Sequence, residues 1–547
     1  MRALLPVIVL TLTFNIAAQS PAQTPAAPAQ SDISEQLRKL QDALEAQQKQ
    51  IAAQQEQIAE QKKELERLKQ QQAAPALVSA PAGTRTASPQ LVNADLRTPT
   101  APAPAQQDSN QAKESPLSFR IGSTEFTPGG FVDFENVFRT TNSGSIVTTN
   151  FGSIPFNSTT QGQMTEFRMT AQFSRLNLKV TGKHGVTDIT GYFEMDFNGN
   201  DAANGFVTGN SHTFRERLAF ANVRRHNWEF LGGQTWSWLT PNRRGIGPMP
   251  SDLALTYNED GNAQAGIPYT RASEFRVVYH PNNNWAAGIG IENPEQFTGI
   301  APGEVVFPTD FAQQLNSQFD PNNTTNTTPN LMPDILAKAG YDTDLSGRHF
   351  HAEVVGLMTT VKTTVQPVGG AFDSNTKLGG GIGAAFNVEP FRNVRVLANA
   401  LYTSGGGRYL IGLGPNAIVL PDGTPSLVHS GTGLVGVEYV PWPKTQLGAY
   451  YGAVYFQRNF ALDTSAGAKP NSFIGFGGPN SAGTNNRTIQ EPTFDWTQTF
   501  WRNPQYGAVN LVTQTSYLTR SPWFVAPGAP KNAHLLMVYT SIRYVLP

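Results

Sequence analysis

The chain has 547 residues, 40 Lys+Arg against 41 Asp+Glu, no cysteine, 50 glycines and only 15% charged residues. A globular domain carries about 25% charge, so few side chains are available to wet a soluble surface, while 39% hydrophobic content is too polar for a bundle of membrane helices. The missing cysteine excludes disulfides, thiolate metal sites, a lipoprotein anchor and thiol catalysis, and the balanced charge argues against a nucleic-acid partner.

In chain order, residues 1–18 read as a secretory signal peptide. Met1-Arg2 gives a positive start, and Ala3 to Ala18 is an apolar stretch ending in small residues. Pro6 and Asn15 interrupt it, and it falls short of the roughly 20 apolar residues of a spanning helix. No later segment offers 18 consecutive apolar residues, so any further crossing has to use strands.

Residues 19–32 form an Ala/Pro/Gln linker, and residues 33–69 a coiled coil. Leu37, Leu44, Ile51, Ile58 and Leu65 recur every seven residues as one core position. Ile33, Leu40, Gln47, Gln54, Gln61 and Leu68 make the other, and no Gly or Pro interrupts the helix formers between them. The three Gln layers cost stability and specify register and oligomer state, but the spacing leaves the number of helices open. The isolated peptide 33–69 is expected to be helical and oligomeric. Replacing Gln47, Gln54 and Gln61 by Leu should raise its melting temperature and loosen its choice of oligomer. Circular dichroism with sedimentation checks this, and a monomeric wild-type peptide at high concentration refutes it. Residues 70–115, rich in Ala, Pro, Gln and Thr, cannot bury a core and read as an extended linker.

Over residues 116–547 the hydrophobic period becomes two, the signature of strands with one apolar and one polar face. Phe167 and Met169 alternate with Glu166, Arg168 and Thr170, and the phase slips near Ser174, as a bulge or strand boundary requires. Ile189, Phe193 and Met195 oppose Tyr192, Glu194 and Asp196; Leu218 and Phe220 oppose Arg215, Arg217 and Ala219; Phe275 and Tyr279 oppose Glu274 and Arg276. A soluble sandwich and an outward-apolar membrane barrel both give this pattern. The barrel is favoured because short turns (Arg224 to Asn227, Pro281 to Asn284, Pro441 to Lys444) alternate with long polar loops (Asn198 to Ser211, Thr298 to Asn330, Asp463 to Glu491). At roughly 27 residues per strand and connection, about 16 antiparallel strands fit. Trp228, Trp236, Trp238, Trp285, Trp442, Trp496, Trp501 and Trp523 are placed to form interfacial girdles. The expected fold class is therefore all-β, a transmembrane barrel preceded by a helical coiled coil.

Five stretches between Gly130 and Leu410 carry a resemblance: Phe214-Arg-Glu-Arg-Leu-Ala-Phe220, Leu231-Gly-Gly-Gln-Thr-Trp-Ser237, Gly288-Ile-Gly-Ile-Glu-Asn-Pro-Glu295, Pro333-Asp-Ile-Leu-Ala-Lys-Ala339 and Gly405-Gly-Gly-Arg-Tyr-Leu410. In this order they resemble the DcaP-like porins, trimeric outer-membrane channels of Gram-negative bacteria with a periplasmic coiled coil. The resemblance implies a homotrimer in outer-membrane lipid that passes small anions, dicarboxylates in the characterised type, by passive diffusion. The coiled coil would lie in the periplasm, within reach of peptidoglycan or a periplasmic partner. The chain departs from the pattern at its end, Ile542-Arg-Tyr-Val-Leu-Pro547, where such barrels finish on an aromatic residue.

Strand parity sends Arg168, Arg215, Arg217, Arg276, Glu166, Glu194, Asp196 and Glu274 to the polar, pore-lining face. Arginines facing carboxylates across water make a transverse field and match carboxylate solutes bidentately, although pairing among themselves explains them equally well. Arg215 and Arg217, two residues apart, should set their guanidinium groups about 7 Å apart along the wall. By the same parity Phe193 and Phe220 face lipid, Tyr192 and Ala219 the lumen. Arg243 and Arg244, in the loop after Trp238, are within reach of a constriction but read better as an exposed loop. His349-x-His351 with Glu353 lacks further ligands, Gly379 to Gly383 lacks the Lys-Ser/Thr of a phosphate loop, and Asp342 to Arg348 reads as a turn. No metal, cofactor or enzymatic activity is expected. An adhesin or wall-tethering barrel with an incidental pore fits the same layout, and single-channel conductance separates the two.

Overall fold

The computed structural model describes residues 115–142, 147–199, 212–258, 264–299, 303–320, 330–411 and 414–547. The signal peptide and the coiled coil lie outside these residues. In chain order the wall strands are β1 (Thr124–Arg139), β2 (Glu166–Thr170 continued by Arg175–His184), β3 (Thr187–Asp196), β4 (Arg215–Arg225), β5 (Trp228–Trp236), β6 (Arg271–Tyr279), β7 (Trp285–Glu292) and β8 (Asp334–Leu345). Then follow β9 (Arg348–Val365), β10 (Asp373–Phe391), β11 (Val394–Ser404), β12 (His429–Trp442), β13 (Thr445–Phe456), β14 (Asn486–Asn503), β15 (Gly507–Pro522) and β16 (Ala533–Val545). Eighteen hydrogen-bonded segments become sixteen wall strands, because the two pieces of β2 pair with the same partner and Phe119–Ile121 is a flap on β1. Every pairing within the wall is antiparallel, and β16 returns to β1 with Phe131 opposite Val545, so the wall closes without an edge.

Connections alternate strictly in length. At one end stand turns such as Ser346-Gly347, whose φ values of 54° and 73° give the left-handed pair that a two-residue hairpin demands. At the other end stand the long loops. The loop after β13 holds its own hairpin, Asn459–Leu462 with Phe473–Phe476, and ends sooner than expected, since Glu491 is already inside β14. The phase slip near Ser174 is a turn, Ser174 N–H donating to the Ala171 carbonyl at 3.0 Å, that breaks β2. β16 ends at Val545, and Leu546 N–H closes onto the Gly130 carbonyl at 3.0 Å, with Tyr544 as the outward aromatic of the last strand.

The apolar strand face points outward: Val132, Phe167, Phe193, Ile289, Ile382 and Val435 are exposed, and the residues flanking Val132, Phe193 and Val435 are buried. Trp228, Trp285, Trp442, Trp496 and Trp501 are exposed near the short-turn end, with Trp228 against Tyr279 and Trp285 against Tyr341 in tilted ring contacts. Trp236, Trp238 and Trp523 do not join that girdle. Trp238 is 2% exposed inside the barrel, and the other two are half-buried against buried apolar clusters.

The expected orientation also fails at Phe220. A bulge makes Arg217 the extra residue between the pairs Glu194 with Leu218 and Met195 with Glu216, so Arg217 and Leu218 both turn inward and the alternation beyond them inverts. Phe220 is 4% exposed against Tyr192, whereas Ala219, opposite Phe193, faces outward.

Candidate functional site

The long connection from Ser237 to Thr270 between β5 and β6 folds into the barrel instead of standing above it. Its seats are holes in the wall. The Trp238 indole lies on Gly288 and Gly290, where a Cβ would come within 2.9 and 3.3 Å of the ring, and Ile246 sits over Gly340. Ala265 presses its carbonyl against Gly452, leaving no room there for any side chain.

Buried polar groups pin this inward loop to the wall. Lys338 on β8 points its ammonium at the carbonyls of Trp238 and Thr240 (3.1 and 3.0 Å) and at Asn242 Oδ1 (2.8 Å), and pairs with Glu353 on β9 at 3.0 Å. Glu292 at the end of β7 accepts from Ser237 Oγ and Trp238 N–H at 3.0 and 2.8 Å. Asp342 accepts from Gly245 N–H, and Glu491 from Ala265 N–H at 2.7 Å. Arg243 meets Glu438 of β12 with both terminal nitrogens, at 2.6 and 2.5 Å. These partners span β7 to β14, so the loop is tied across half of the barrel interior. Arg243 is therefore no exposed-loop residue. Glu438 and the nearby tyrosines raise its pKa above the ordinary guanidinium value against the opposing effect of burial, which keeps it charged.

Next to this loop the structure sets a second network. Arg408 donates to Asp334 (2.9 Å), Glu295 (3.3 Å) and the Asn293 carbonyl (2.9 Å), and the Tyr409 hydroxyl lies 2.7 Å from Asp334 and 3.2 Å from Glu292. Arg276 donates to Thr235 and the Trp236 carbonyl at 2.8 and 2.7 Å, pairs with Glu274 at 2.5 Å, and lies over the Trp238 ring.

The remaining expected pore residues fall into three places. Arg215 binds Asp196 through two nitrogens at 3.0 and 2.6 Å, and Arg217 bridges Glu194 and Asp196 at 2.7 and 2.9 Å. The two guanidinium groups therefore converge on one carboxylate instead of forming a free row, with Arg175 3.5 Å from Glu194 on the other side. Arg271 lies over the same Trp236 ring as Arg217 and donates to the Glu216 carbonyl at 3.3 Å, which adds a fourth cation to this group. Glu166 pairs elsewhere, with Arg139 at 2.5 Å. Arg168 is exposed and stands apart, in register with Val137.

The ring nitrogens of His351 lie 3.0 Å from Asp342 and 3.2 Å from Glu353, so this pair of contacts belongs to the lattice that holds the loop. Gly379 to Gly383 are β10 residues, and Ser346-Gly347 is the turn of the Asp342 to Arg348 segment. Sequence reasoning misses Lys338, Glu292, Glu438 and Tyr409 as site residues, although Glu438 is the one carboxylate or fixed cation of an otherwise apolar strand and Lys338 the one cation of its own.

No protein-family model matches the chain, and no curated protein does. Among solved structures, the outer membrane channel DcaP of Acinetobacter baumannii matches with a TM-score of 0.53 at 16% identity, over 78% of this chain and 98% of that one. OmpF of Salmonella typhi matches at 0.43 and 11% identity, over 79% and 100%, and OprB of Pseudomonas putida at 0.40 and 10%, over 77% and 94%. The chain has a DcaP-like fold, a closed barrel of sixteen antiparallel strands.

Proposed function

We propose that this chain is an outer-membrane porin, a homotrimer that lets small hydrophilic solutes diffuse passively and favours anions such as dicarboxylates. The observation that carries this reading is the inward loop: a closed wall, apolar outside, with a loop tied across its interior by buried ion pairs, is the construction of a channel with a fixed constriction. The long loops then face outside the cell and the short turns the periplasm, where the coiled coil of residues 33–69 would set the oligomer and meet peptidoglycan or a periplasmic partner.

The anion preference rests on the cluster at β3 and β4, where, among the described residues, Arg175, Arg215, Arg217 and Arg271 gather about Glu194 and Asp196. That local excess of positive charge is hidden by the near-zero net charge of the chain. A dianion gains twice the Coulomb energy of a monoanion there, about 1 kcal/mol per charge in a wet pore.

Conductance of the purified full-length protein in planar bilayers tests the porin reading. Open, ohmic channels are expected, and a silent barrel refutes it in favour of an adhesin or tether. The Arg215→Gln, Arg217→Gln double variant leaves two arginines against two carboxylates, so the reversal potential in a salt gradient should shift toward cations. Succinate entry should fall more than glucose entry. An unchanged anion preference would make the cluster purely structural and turn attention to Arg168 and the Arg276 network.

A further inference from the structure

At the long-loop end, three adjacent wall strands place two arginines on one tryptophan. Trp523 follows β15 and is locked as a plate: its indole N–H donates to the Phe456 carbonyl and its backbone N–H to the Asn485 carbonyl, both at 2.9 Å. Arg458, just past β13, and Arg487, near the start of β14, hold their guanidinium carbons 5.3 and 5.8 Å from that ring. Arg487 is the extra residue of a bulge, since Asn486 faces Pro522 and Thr488 faces Ser521, and a bulge re-aims the side chain it carries.

Both guanidinium groups are exposed, and among the described residues neither has a carboxylate within ion-pair distance or a hydrogen bond. That sets them apart from Arg139, Arg215, Arg217, Arg243, Arg276 and Arg408, each of which has an acidic partner. Directly below, Tyr455 is outward and meets the edge of Trp523 at 6.1 Å. Beside Arg458 lies a pocket of about 240 Å³ with a polar lining that includes His429, Gln457 and Asn459. From the apolar wall upward, the order is therefore an interfacial aromatic and then two cations held over one ring, with a polar recess beside Arg458.

We infer that this rim is a binding site for the phosphorylated headgroup of a lipid in the leaflet that the long loops face. Stacking on a fixed indole removes much of the rotamer freedom that an arginine would lose on binding, and the guanidinium fork matches phosphate oxygens bidentately. The acyl chains of such a lipid would run down past Tyr455 along the outer wall, which a free anion has no use for. The inference takes the orientation of the barrel from the porin reading but does not depend on conduction.

The test is native mass spectrometry of the full-length protein in detergent, titrated with bisphosphorylated lipid A, with the same glycolipid stripped of its phosphates, and with inorganic phosphate. Wild type should retain the bisphosphorylated lipid at least tenfold more tightly than the stripped one. The Arg458→Gln, Arg487→Gln variant should lose that difference while its heat-modifiable gel migration and conductance stay unchanged. Arg458→Lys with Arg487→Lys should recover only part, because lysine restores charge without the fork. Equal retention of both lipids, equal binding by the glutamine variant, or occupancy by inorganic phosphate with no lipid preference would each overturn the inference. Failure of the porin reading alone would instead show as silent bilayers with the lipid discrimination intact.

Discussion

Lys338→Ala is expected to destabilise the barrel by about 3–5 kcal/mol and, on the porin reading, to give a noisier and larger single-channel current than wild type. Its ammonium group holds three acceptors of the inward loop and Glu353, and it is fully buried. Truncation strands a buried carboxylate and at the same time leaves two loop carbonyls without a donor, each of which carries its own desolvation penalty. The cost is therefore larger than the net worth of the pair. Removing both charges in Lys338→Met, Glu353→Gln should recover much of the stability, since a buried pair replaced by neutral side chains of similar volume is close to neutral. It should not restore the wild-type current, because the loop carbonyls still lack their donor. Chemical denaturation and single-channel recording read the two effects separately, and unchanged values in Lys338→Ala would mean that the loop is held without it.

Phe193→Arg and Ala219→Arg are both expected to impair insertion, by up to about 2–4 kcal/mol near the bilayer midplane. The two residues face each other across β3 and β4 on the outer surface. Ala219 is the more telling of the pair, because uninterrupted alternation from Arg215 would send it into the lumen, where an arginine is tolerated. Refolding into lipid vesicles, followed by heat-modifiable migration during urea titration, measures the loss. If Ala219→Arg inserts as well as wild type, the bulge at Arg217 is not present in the membrane.

The barrel itself is legible in the sequence because a strand that separates lipid from polar interior repeats its constraint every second residue. The Ser174 slip, the alternation of short and long connections and the outward positions of Phe167, Phe193 and Phe275 all follow from that local rule. Four of the five stretches that carry the family resemblance prove to be neighbours: Glu292, Lys338, Tyr409 and Thr235 belong to the two polar networks around the inward loop, while Arg217 of the fifth joins the separate cluster at Asp196. Their order in the chain was visible, but their convergence was not.

The sequence by itself determined the strand period, which residues are polar, and the alternation of short and long connections, since each is fixed by a few consecutive side chains. Tertiary structure alone decided three things. It placed the loop of Trp238 and Arg243 inside the barrel, because its seats at Gly288, Gly340 and Gly452 and its anchors at Lys338 and Glu438 come from strands far apart in the chain. It turned Phe220 inward, because a bulge arises from the register of two strands and not from either one. It joined Arg215 and Arg217 to Asp196, because a charge at polar parity stays free or becomes paired according to what the neighbouring strand presents.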